Sequence, residues 1–66
     1  MEIVLNGEPR TVAAGTTIAS LLDAEGLAGR RVAVEVNGEI VPRGSHPTHP
    51  LANGDRVEVV HALGGG

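Results

Sequence analysis

Residues 31–42 read RVAVEVNGEIVP. Val32, Val34 and Val36 alternate with Ala33 and Glu35, the period of two that places successive side chains on opposite faces of a strand. Asn37-Gly38 interrupts the alternation with two residue types that tolerate positive φ, as a two-residue hairpin turn requires. Glu39-Ile40-Val41 is the short return strand. Pro42 stops it, because a proline cannot donate to the ladder.

The same signature stands at the start of the chain. Met1, Ile3 and Leu5 alternate with Glu2 and Val4, and Asn6-Gly7 supplies the turn. The return strand is expected over residues 10–14, with Val12 inward and Pro9 near its start, where a missing N–H is tolerated. Between the two hairpins the period changes. Ile18, Leu21 and Leu22 fall at i, i+3 and i+4, one face of a short helix. Thr17 is placed to cap its first turn, Asp23 and Glu25 fall on the solvent side, and Gly26 ends it with Leu27 folding back. After Pro42, residues 43–50 hold Gly44, Pro47 and Pro50 and read as an ordered loop or a single 3₁₀ turn that drops Leu51 into the core. Asn53-Gly54-Asp55 is a third turn, and residues 56–61 are the last strand, with Val57 and Val59 inward.

The order is ββαβββ, an α+β chain. Only the helix can cover the apolar face of the sheet. Strongly apolar first and last strands, separated by a long crossover, are expected to lie parallel at the sheet centre. The expected architecture is the β-grasp: a four- or five-stranded mixed sheet covered by one short helix. Residues 1–63 make the domain, and residues 64–66 form a flexible glycine tail.

Composition narrows the chemistry. The 66 residues include no cysteine, lysine, Phe, Tyr or Trp, and five arginines face eight acids for a net charge of −3. Without cysteine there is no disulfide framework, thiol catalyst or cysteine-ligated zinc. Without lysine there is no Schiff base, no P-loop lysine and no side-chain amine for isopeptide linkage. An acidic chain without aromatic rings lacks the basic patch and stacking platform of a nucleic-acid binder. No apolar run approaches a membrane span, so the expected compartment is the cytoplasm; the free chain is expected to be a monomer. Ser20 and Ser45 have no base near them in sequence, so an enzyme is not expected.

The remaining candidate is the end of the chain. Gly64-Gly65-Gly66 carries no Cβ and makes a thin strip ending in a carboxylate, able to enter a channel that any side chain would block. A carboxylate becomes a good electrophile only after activation, and nothing here can perform that step. The tail is therefore expected to be a substrate charged by a partner. Leu63 fits as the apolar anchor before the strip. On the sheet face opposite the helix, Glu2, Glu35 and Glu58 are expected beside Val4, Ala33 and Val60. This mixed patch suits a basic partner, with Val4, Glu58, Val60 and Leu63 as its docking residues. His46 and His49, three apart on a loop, read as solvated side chains rather than a metal pair, and His61 lies on the last strand. Arg43 reads as a solvated or locally capping arginine, or as a grip on a partner carboxylate.

With these residues in view, the chain resembles the ThiS family of sulfur carriers in thiamine biosynthesis. Leu5-Asn6-Gly7, Ala14-Gly15-Thr16-Thr17 with Leu21-Leu22, the run from Val36 through Asn37-Gly38-Glu39-Ile40-Val41-Pro42-Arg43, Leu51 to Gly54-Asp55, and the final Gly-Gly carry the likeness. The resemblance implies the ubiquitin-like β-grasp fold. It also implies that a ubiquitin-activating-like adenylyltransferase uses ATP to adenylate Gly66, with Gly64 and Gly65 threading into the partner. Persulfide sulfur from a sulfurtransferase or cysteine desulfurase then yields a C-terminal thiocarboxylate, which delivers sulfur to thiazole synthase. No intrinsic cofactor or metal is implied. The small subunit of molybdopterin synthase and carriers for tRNA thiolation share fold and tail but usually run longer and carry aromatic residues. A protein modifier joined through Gly66 to target lysines and a plain interaction module with an idle tail are the alternatives of other classes.

Overall fold

The structure, a computed structural model, describes residues 1–61. Its elements are β1 (Glu2–Leu5), β2 (Glu8–Thr11), α1 (Ile18–Ala24), β3 (Val32–Val36), β4 (Glu39–Val41), a 3₁₀ helix (Arg43–Thr48) and β5 (Arg56–His61). The strands form one five-stranded sheet in the order β2-β1-β5-β3-β4. As expected, β1 and β5 are parallel neighbours, and β5 occupies the centre. The remaining pairs are antiparallel.

One face of the sheet is apolar and lies under the helix. Ile3 and Leu5 of β1, Val34 and Val36 of β3, Val41 of β4 and Val57 and Val59 of β5 are buried with Ile18, Leu21 and Leu22 of α1 and with Leu51. Small branched side chains fill this core without a single six-membered ring.

The seven-residue helix is short for its own stability, so its ends matter. Thr17 Oγ1 accepts from the Ser20 amide at 3.1 Å, and Ser20 Oγ accepts from the Thr17 amide at 2.8 Å, a reciprocal cap with serine in the role usually taken by Glu or Gln. At the other end Gly26 adopts φ +75°, and the Leu27 and Gly26 amides donate to the Leu22 and Asp23 carbonyls. That is the paired closure a left-handed residue makes possible. The helix start is also pinned from outside: the Ile18 amide donates to the His49 carbonyl at 3.1 Å and the Leu51 amide to the Thr16 carbonyl at 2.8 Å. These two bonds hold Leu51 against the core.

The three Asn-Gly pairs do more than turn the chain. Asn6 and Asn37 sit at φ +49° and +53°, each followed by glycine at φ +83° or +86°, as a tight hairpin turn demands. Each asparagine also reaches a distant strand. Asn6 Oδ1 accepts from the Val59 amide at 2.8 Å, continuing the β1–β5 ladder one step beyond the point where the β1 backbone turns away. Asn37 Oδ1 accepts from the Arg56 amide at 2.9 Å, and Asn53 Oδ1 from the Glu2 amide at 2.8 Å. Asp55 closes the set, accepting from Asn37 Nδ2 at 2.9 Å and from the Ala52 amide at 2.7 Å. The central strand is thus gripped by asparagine side chains from both neighbours.

Two expectations need correction. The second strand is Glu8–Thr11 rather than residues 10–14, so Val12 lies beyond its end, half-buried against the core. Pro9 stands inside this strand opposite Val4; β2 is an edge, and the missing N–H costs no ladder bond there. Glu25 is half-buried rather than on the solvent side. Its Oε2 accepts from Arg10 Nη1 at 2.7 Å, tying the helix end to the edge strand. This bond, reinforced by the carboxylate charge, raises the Arg10 pKa above its ordinary value.

Candidate functional site

Residues 62–66 follow β5, the last described element. Val57 and Val59 point to the core, which leaves Glu58 and Val60 on the outer face. Val60 stands opposite Ala33, and Glu58 opposite Glu35, which in turn faces Ile40 of β4. Two large apolar side chains are exposed among the described residues, Ile40 at 69% and Val60 at 56%, and both lie on this face. Glu35 and Glu58 are like charges directly across a ladder. Such a pair weakens the sheet by a few tenths of a kcal/mol and is relieved when a cation docks beside it.

Glu58 and Val60 therefore form one patch with Ala33, Glu35 and Ile40. Val4 lies at the edge of this patch: it stands opposite Arg56, two residues back along β5 from Glu58 and four from Val60, roughly 7 and 13 Å at about 3.3 Å per residue. Ile40 was not among the expected docking residues. Its parity gives it away: Val41 pairs with inward Val34, so the preceding residue must point out. Leu63, Gly64, Gly65 and Gly66, and the boundary between domain and tail, lie outside the described residues.

The histidines are not equivalent, and His46 corrects the expectation of a solvated loop. It is only 5% exposed, with Nε2 donating to the Val41 carbonyl at 3.0 Å; the carbonyl can only accept, so Nε2 carries the proton. The 3₁₀ helix that begins after Pro42 rolls this ring back over the end of β4. His49 is half-buried and His61 is exposed. Among the described residues no three His, Cys, Asp or Glu side chains converge as metal ligands. No helix among them is long and apolar enough to cross a membrane. Ser20 is occupied by the helix cap.

Arg43 is exposed at the first position of the 3₁₀ helix, on the opposite side of the sheet from the Glu58–Val60 patch. It lines a concave pocket of about 200 Å³ with Arg30, His46 and the apolar side chains of Leu22, Leu27 and Val32.

Comparison with known proteins places this geometry. The model of the ThiS family matches residues 3–66. The sulfur carrier protein ThiS of Thermus thermophilus is 42% identical over 62 residues, covering 94% of this chain and 95% of the relative. A thiazole synthase of Magnetococcus marinus is 48% identical over all 66 residues, but the chain spans only 20% of that protein's length. The crystal structure of the thiamine biosynthesis protein ThiS from Geobacter metallireducens superposes with a TM-score of 0.86 at 36% identity, with both chains covered in full. A ubiquitin-like β-grasp of five strands and one short helix, matched along nearly its whole length by sulfur carriers, belongs to the ThiS family.

Proposed function

We propose that this chain carries sulfur for the thiazole moiety of thiamine, on the carboxylate of Gly66. The Gly66 carboxylate attacks the α-phosphate of ATP in a ubiquitin-activating-like adenylyltransferase, releasing pyrophosphate and leaving an acyl-adenylate. A persulfide of a sulfurtransferase or cysteine desulfurase displaces AMP. A donor thiol then resolves the resulting acyl disulfide, leaving the thiocarboxylate on Gly66 and a disulfide on the donor. The thiocarboxylate is ionised at neutral pH and a far better nucleophile than a carboxylate, so it can attack the carbon that thiazole synthase presents.

The observation that carries this reading is the match of the ThiS family model over residues 3–66, terminal glycines included, beside 42% identity to a named sulfur carrier over 94% of the chain. The fusion of a 48% identical domain into a thiazole synthase supports thiazole synthase as the acceptor. The composition agrees: with no cysteine and no lysine in 66 residues, the activated acyl group meets no side-chain thiol or amine of its own chain. The domain brings no cofactor; ATP and persulfide enter through partners, and the chain works as their substrate rather than as an enzyme.

Deletion of Gly65 and Gly66 tests the reading. We expect the shortened chain to support no ATP–pyrophosphate exchange by the cognate adenylyltransferase, with a melting curve superimposable on that of the full chain. Undiminished exchange would show that the tail is idle.

A further inference from the structure

The helix-side pocket has no role in the chemistry proposed for the tail. At about 200 Å³ it falls short of the roughly 300–1,000 Å³ of a small-molecule site, but it accommodates one or two side chains. Leu22, Leu27 and Val32 make it apolar, and Arg30 and Arg43 make it cationic. Neither arginine is engaged: among the described residues the ion pairs are those of Arg10 with Glu8 and Glu25. His46 donates to the Val41 carbonyl. No acidic residue lines the pocket, although the chain carries eight acids against five arginines. Glu2, Glu35 and Glu58 lie on the far side of the sheet. The outer face thus carries three glutamates against Arg56, while the small cup on the helix side is lined by cations without an acid.

The cup adjoins the root of the tail. Val32, part of its lining, stands opposite His61, the last described residue of β5. A protein that takes up the chain beyond His61 comes within reach of the cup.

We infer that the cup is a docking site for thiazole synthase, the enzyme that in a relative carries a 48% identical stretch within its own chain, receiving an Asp or Glu carboxylate at Arg30 and Arg43 and the apolar side chain next to it over Leu22, Leu27 and Val32. Guanidinium groups suit this occupant because they bind carboxylates in two-pronged fashion, and arginines beside a small apolar pocket are frequent energetic centres of interfaces. The inference rests on the sulfur-delivery reading and deepens it by naming the surface that the acceptor enzyme recognises.

Titration of the full chain with its cognate thiazole synthase, followed by calorimetry at low and moderate salt, tests it. The double variant Arg30→Glu/Arg43→Glu is expected to lose at least about tenfold in affinity, each single variant less, and wild-type affinity is expected to fall with added salt. The thermal melt of the double variant should match wild type, since both side chains are exposed and unpaired among the described residues. The same variant should still be charged by the adenylyltransferase. Unchanged affinity for thiazole synthase, or equal loss of charging and of binding, would overturn the assignment. It would also fall if deleting Gly65 and Gly66 shifted the Arg30 and Arg43 side-chain NMR signals of the free chain, because the cup would then hold the chain's own carboxylate. Failure of the wild-type chain to be charged at all is a separate result, and it would remove the sulfur-carrier reading.

Discussion

The two faces of β5 obey opposite rules. On the inner face Val57 is 1% exposed, in the same buried core as Ile18 and Leu21; on the outer face Val60, three residues on, is 56% exposed beside a glutamate that faces another glutamate. The inner face is chosen for stability. The outer face retains an apolar side chain in water and a repulsive pair, neither of which helps the isolated domain. A single strand thus separates the side chains that hold the fold from the apolar and acidic side chains left in water, and residues 62–66 follow that strand.

The sharpest way to break this contrast is Ile18→Ala. Ile18 is fully buried, and removing its side chain beneath the sheet should cost about 2–5 kcal/mol, read as a loss of most of the denaturation midpoint. A cost below about 1 kcal/mol would mean that the core repacks and that the inner face is less specific than described.

The asparagine grip on β5 is next. Asn6→Gly keeps the turn's positive φ but removes the acceptor of the Val59 amide, and should cost about 1–3 kcal/mol; Asn6→Ala adds backbone strain and should cost more. Equal costs would show that the lost side-chain bond, and not the turn conformation, accounts for the effect, whereas a negligible cost for Asn6→Gly beside a large one for Asn6→Ala would show that the turn conformation alone holds the strand end. Thr17→Ala, which removes one half of the reciprocal helix cap, should cost about 1 kcal/mol by chemical denaturation and leave charging of the tail intact. On the outer face Val60→Asp should change stability by less than about 0.5 kcal/mol while weakening binding to the adenylyltransferase, measured by titration. Lost stability with undisturbed binding would invert the roles of the two faces.

Much of the inner face was legible in the sequence. Alternating valines, Ile18, Leu21 and Leu22 at i, i+3 and i+4, and the Asn-Gly turns each carry a local signal, and local signals are enough for strands, a helix and hairpins. What was not legible depends on contacts far apart in the chain. The bonds from Asn6 and Asn53 span more than fifty residues. Glu25 and Arg10 meet only because the helix end packs over an edge strand. His46 is buried because a 3₁₀ helix, which has no apolar period of its own, rolls it inward. The site was half legible. Strand parity put Val4, Glu58 and Val60 outward, but only the register sets Val4 two residues along from Glu58 and adds Ile40, and no periodicity announces that Arg30 and Arg43 share one pocket.

In the proposed function the working group of this chain is the Gly66 carboxylate, charged by another protein. Intact-mass spectrometry of the full chain, after incubation with its adenylyltransferase, ATP and a persulfide donor, measures it directly. The account predicts a product with one oxygen replaced by sulfur, localised by fragmentation to Gly66 and missing when ATP is withheld. A chain recovered at its original mass under conditions where the adenylyltransferase is active would contradict it.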